Sequence, residues 1–72
     1  MASTRADQYE IRVRGHLGET MRAAFPALRT RVDGQDTVLI GLLPDQAAVY
    51  GVLAAIEALG LELVELRRTP PG

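Results

Sequence analysis

Apolar and polar residues alternate strictly from Tyr9 to Arg14, with Tyr9, Ile11 and Val13 on one side and Glu10, Arg12 and Arg14 on the other. That period of two predicts a strand with one buried face. The same period returns in Leu28-Arg29-Thr30-Arg31-Val32, which predicts a second strand with Arg29 and Arg31 turned outward. Asp33-Gly34-Gln35-Asp36 follows, and Asp-Gly between alternating runs is a hairpin cue. Thr37 to Leu42 is apolar on both sides, as a central strand would be, with Val38, Ile40 and Leu42 expected to point inward and Leu39 outward. Gly41 within that run marks a bulge or a close backbone approach. Leu61-Glu62-Leu63-Val64-Glu65-Leu66-Arg67 predicts the last strand.

A longer period governs the stretch from Asp45 to Gly60. Val49, Val52, Leu53, Ile56 and Leu59 recur at three- and four-residue spacing and form one apolar stripe. Asp45 suits the N-cap, and Gly60 suits the left-handed residue that closes a helix. Gly51 in the middle is explained by close approach of the helix to the sheet. A shorter helix is predicted over Glu19–Phe25, bounded by Gly15-His16-Leu17-Gly18 and by Pro26, with Leu17, Met21, Ala24 and Phe25 on one side.

The resulting order is strand, helix, strand, strand, helix, strand. Two such halves joined by a hairpin are the signature of an α+β, ferredoxin-like split βαβ fold (βαββαβ). Right-handed crossovers then place two helices on one face of a four-stranded antiparallel sheet of order 4-1-3-2. The alternative is the same element order without that topology. Residues 1–7 read as a disordered N-terminal segment, 8–68 as a single domain, and 69–72 as a tail that cannot continue a ladder.

Composition narrows the function classes. Seventy-two residues suffice for one small domain, in which only about 60% of the unfolded chain's surface becomes buried. The chain has no cysteine and one histidine, so there is no disulfide, no thiolate ligand and no His-rich metal site; no cofactor is expected. The net charge of −1 argues against a domain built mainly to hold duplex DNA. With no signal-peptide core and no membrane-length apolar run, a cytoplasmic protein without a membrane partner is expected.

Three groups of residues are candidates for function. The sheet face turned away from the helices is expected to carry Glu10, Arg12, Arg14, Arg29, Arg31, Leu39, Leu63, Glu65 and Arg67. Of these, Arg12, Arg14, Arg29, Arg31, Leu39, Leu63 and Arg67 form the expected interaction surface. Its arginines suit phosphate or carboxylate groups, and its leucines, with Leu43, suit a partner surface. The bland reading is a solvated face with Arg and Glu paired across strands. The second group is Gly15, His16 and Gly18, where glycines let backbone N–H groups reach an anionic ligand. The third is His16 with Glu19 or Glu10 as an acid–base pair, outweighed by a solvated turn histidine, so no enzyme and no catalytic residue is expected.

With the first strand, the Gly15-His16-Leu17-Gly18 break and the second half in place, the layout from about Gln8 to Arg68 resembles the ACT-type regulatory modules. The resemblance rests on topology and on Gly15 and Gly18. It implies a small ligand at the glycine loop, commonly at a subunit interface. The expected function is a non-enzymatic binding, regulatory or protein-interaction module that self-associates through its sheet. Its expected partners are a second copy, another protein or a small anionic ligand. A nucleic-acid-binding domain using the arginine-bearing face is the alternative.

Overall fold

The computed structural model describes residues 7–69. The expected disordered segment 1–7 and tail 69–72 lie outside those residues, except for Asp7 and Thr69. Those two open and close strands and pair with Leu43 and Gln8, so both ladders run further than expected.

The alternating runs form β1 (Asp7–Arg14), β2 (Arg29–Asp33), β3 (Asp36–Leu43) and β4 (Leu63–Thr69). All pair antiparallel, in the order β2-β3-β1-β4. This is the expected order 4-1-3-2 counted from the other edge. β2 and β3 are joined through Gly34-Gln35, and Gly34 takes a φ of 63°, which glycine supplies at the first position of a primed hairpin turn.

The side assignment of β3 needs correction. Ile11 lies opposite Leu39 and Val13 opposite Thr37, so Leu39 and Leu43 point into the core, 0% and 4% exposed. Val38, Ile40 and Leu42 lie on the opposite face. The cause is the two-residue turn, which pairs Asp33 with Asp36 and therefore Arg31 with Val38 and Arg29 with Ile40. Residues directly opposite share a face, so outward arginines on β2 carry Val38 and Ile40 outward with them.

Between β3 and β4 runs α2 (Gln46–Ala58). The Asp45 Oδ1 accepts the Ala48 N–H at 2.8 Å, capping its start. At its end Gly60 (φ 73°) donates to the Glu57 carbonyl and Leu61 to the Ile56 carbonyl, each at 3.0 Å, which is the Schellman arrangement. Val49 and Ile56 are buried, Val52 and Leu53 partly so, while Leu59 at the expected end of the stripe is exposed. Gly51 also departs from expectation, since a Cβ there would meet nothing within 4 Å.

The expected layer of two amphipathic helices, and with it the ferredoxin-like assignment, is overturned at α1 (Glu19–Arg22). It is a single turn of four residues with none buried. Gly18 gives it no side-chain cap, Ala24 and Phe25 donate to carbonyls three residues back, and Pro26 excludes continuation. Phe25 and Leu28, in the turns that follow, take the place of a helical stripe in the core. The architecture is a small α+β fold: a four-stranded antiparallel sheet with one long helix and one helical turn.

The core lies on the side of the sheet bearing Ile11, Val13, Leu39 and Leu43, under Phe25, Leu28, Val49 and Ile56. Each such side chain contributes roughly 1.5–3 kcal/mol on burial. Helical cover stops short of β4, and every one of its seven residues is exposed.

Candidate interaction surface

On the face away from α2, register sets four rows. β2 contributes Arg29 and Arg31, β3 contributes Val38, Ile40 and Leu42, β1 contributes Gln8, Glu10, Arg12 and Arg14, and β4 contributes Glu65 and Arg67. The five arginines expected on this face are therefore brought together. Leu39 is not among them; it is core. Leu63 lies opposite Val13, on the helix side, and borders a groove of about 330 Å³ with Leu53, Ile56, Glu57 and Leu61.

Arg12 is the centre of the face and is already engaged. Its Nη2 donates to Asp33 Oδ2 at 2.6 Å and its Nη1 to Asp36 Oδ2 at 3.3 Å, clasping the strands at the base of the hairpin. The bond to Asp33 raises the Arg12 pKa further. The same bond, with the charge of Arg12 and a smaller contribution from Arg31, holds the Asp33 carboxyl below its ordinary value. Arg14 meets Glu62 at 3.3 Å, and Arg67 meets Glu65 at 3.4 Å. Among the described residues Arg29 and Arg31 have no carboxylate within ion-pair distance, and neither has Glu10 a cation. Glu10, Arg12, Arg31, Glu65 and Arg67 rim a shallow dish of about 140 Å³ with Val38 as its floor. Val38 is only 2% exposed despite facing away from the helix, because Arg12 and Arg31 flank it across both ladders and their stems shield it. Leu42, further along the row, is open to solvent.

The loop from Gly15 to Gly18 is bound into the chain's own hairpin. Gly15, with φ 92°, donates to the Gln35 carbonyl at 2.9 Å, and its own carbonyl accepts the Thr37 hydroxyl at 2.7 Å. His16 Nε2 donates to the Gly34 carbonyl at 2.9 Å, which assigns the proton to that nitrogen. The loop is thus a strap from the end of β1 to the hairpin, and Gly18 stands apart at the start of α1 with open space around it. Among the described residues no group of three or more His, Asp or Glu is placed to hold a metal ion. Nor is any helix among them long and apolar enough to cross a membrane.

β4 was expected as a strand, but its bulge and its full exposure were not. Arg12 lies opposite Glu65 but Val13 lies opposite Leu63, so Val64 is an extra residue in the ladder, a β-bulge. Beyond it, Glu65 to Thr69 runs in regular register against β1, and among the described residues β4 ends the sheet with its outer edge unpaired. Leu63, Val64 and Leu66 are 44%, 42% and 41% exposed there. The cause is the short α1, whose single turn cannot shelter a whole strand.

A family model described as "Domain of unknown function (DUF8691)" matches residues 8–67. No curated protein and no solved structure matches the chain.

Proposed function

We propose that this chain, which belongs to the DUF8691 family, is a non-enzymatic binding and regulatory module of the cytoplasm that works by self-association through its sheet. The observation that carries the proposal is β4, an edge strand with all seven residues exposed and three of them apolar. Unpaired backbone beside uncovered aliphatic side chains is a template for another strand. The regulatory part of the reading draws on the resemblance to ACT-type modules in element order alone, since the two-helix layer is not formed. A small anionic ligand at Gly15–Gly18 is the less favoured part, because both backbone groups of Gly15 are committed within the chain.

Nucleic acid ranks below a protein partner. Arg12, Arg14 and Arg67 each contact a carboxylate, which leaves Arg29 and Arg31 as the arginines of the face without an ion pair among the described residues, beside an equally unpaired Glu10. Phosphate binding depends on such free cations and would show as strong weakening with salt. Sedimentation of the full chain over a concentration series tests the proposal. A sedimentation coefficient that rises with concentration is expected. A strict monomer throughout, together with retention on RNA or DNA at low salt, would replace it with the nucleic-acid reading.

A further inference from the structure

The self-association reading leaves open which surface meets which, and the charge order of β4 answers it. We infer that two copies join β4 to β4, antiparallel, about a twofold axis through Leu66, so that the two sheets run on as one. This rests on the self-association reading and specifies its surface, register and symmetry.

The argument is one of charge complementarity along a single strand. Glu65 and Arg67 lie opposite Arg12 and Glu10 of β1, so both are on the face away from the helix, while Leu66 lies opposite Ile11 on the helix side. Two antiparallel copies centred on Leu66 place Glu65 against the partner's Arg67, Arg67 against the partner's Glu65, and Leu66 against its own counterpart. Directly opposed residues in such a pair are close enough for charges to attract and side chains to pack. Moving the axis to Glu65 sets Glu65 against itself, and moving it to Arg67 sets Arg67 against itself. A shift of a single residue brings charges opposite leucines. The Leu66 register matches opposite charges on the outward face and sets Leu66 against itself on the other. Arg68, which meets Asp7 of its own chain, falls opposite the partner's Val64, at the bulge.

The opposite edge of the sheet offers no equivalent. β2 has five residues, and centring it on Thr30 or on Arg31 sets arginine against arginine. Centring it on Val32 sets Arg31 against an Asp33 that Arg12 already engages at 2.6 Å, and runs the partner strand onto the Gly34-Gln35 turn. The bulge at Val64 also fits the assignment, since it confines the irregularity to the start of β4 and leaves the stretch around Leu66 regular. The twofold arrangement closes on itself, whereas joining β4 to β2 would build an open-ended chain of copies. One strand from each copy makes a seam well below the roughly 1,600 Å² of a standard interface, so the pairing is weak and concentration-dependent.

Charge exchange within the full chain tests register as well as surface. Arg67→Glu and Glu65→Arg should each weaken self-association roughly tenfold, because two symmetry-related attractions become repulsions. The double variant should recover the original affinity. An equimolar mixture of the two single variants should associate although neither does so well alone. Melting curves of each variant separate a lost seam from a lost fold. A second reporter is Leu66→Cys in this cysteine-free chain, which should form a disulfide-linked dimer under mild oxidation while Thr30→Cys on β2 remains monomeric. If the wild-type chain associates but is indifferent to these exchanges, or if Thr30→Cys crosslinks and Leu66→Cys does not, the β4 seam is wrong and self-association uses another surface. A wild-type chain that never associates removes the underlying reading as well.

Discussion

Leu28 lies directly over Gly41. A Cβ built at Gly41 would stand 2.6 Å from Leu28 Cδ2 and 2.7 Å from the Ala27 carbonyl oxygen. Of the two explanations expected for this glycine, close backbone approach is the one observed. A leucine end can move aside, but the Ala27 carbonyl belongs to the chain that carries Phe25 and Leu28 into the core. Gly41→Ala is therefore expected to destabilise by about 1–3 kcal/mol. In a domain of this size that lowers Tm by roughly 4–8 °C per kcal/mol, measurable by thermal melting.

The two helical glycines of α2 and its cap should respond in opposite directions. Nothing lies within 4 Å of a Cβ at Gly51, and the residue sits in the helix interior. Gly51→Ala should stabilise by about 0.5–1 kcal/mol through the lower entropy of the unfolded chain. Gly60, at φ 73°, is held in the left-handed region by the Schellman closure. Gly60→Ala should cost about 1–2 kcal/mol. Urea midpoints of the two variants on opposite sides of the wild type would bear this out.

Leu39 shows where sequence pattern is informative and where it is silent. Its strand is apolar at consecutive positions, so alternation alone cannot say which side is buried. Register can: with Arg29 and Arg31 outward, a two-residue turn at Gly34-Gln35 dictates the sides of Val38, Leu39 and Ile40. α2 was legible from cap to cap because Asp45, the Val49–Ile56 spacing and Gly60 all act within one helix. The extent of α1 was not, since only the packing of Phe25 and Leu28 decides that the chain turns early. The exposure of β4 follows from that shortened layer, and no local pattern in Leu63–Thr69 announces it. Leu39→Ala should cost about 2–5 kcal/mol, a core loss that an outward leucine would not produce. Loss of cooperative melting is the expected readout.

Asp33 gives the fold a pH dependence at its acid end. Arg12 holds the Asp33 carboxyl below its ordinary value, first through their hydrogen bond and then through charge. A carboxyl held that way binds fewer protons folded than unfolded. Its contribution is fully present above the ordinary aspartate value, about pH 4, and is lost as pH falls through the lower folded value. Carboxyl chemical shifts followed by NMR should give Asp33 a midpoint below that of a free aspartate. Arg12→Gln should return it to the ordinary range and flatten the acid limb of the stability curve.

Thr37 and His16 tie the same strap with unequal consequence. The Thr37 hydroxyl is 2% exposed as a residue and reaches the Gly15 carbonyl at 2.7 Å, so its removal leaves a carbonyl at a partly buried site without that partner. Thr37→Val keeps the shape and should cost about 1–3 kcal/mol. The His16 bond to the Gly34 carbonyl lies in solvent, where water replaces it readily. His16→Ala should therefore shift Tm by less than the threonine change and leave self-association intact. A His16→Ala variant that abolished self-association or removed a co-purifying ligand would instead return the loop to the functional surface, and native mass spectrometry of the two variants side by side decides between these outcomes.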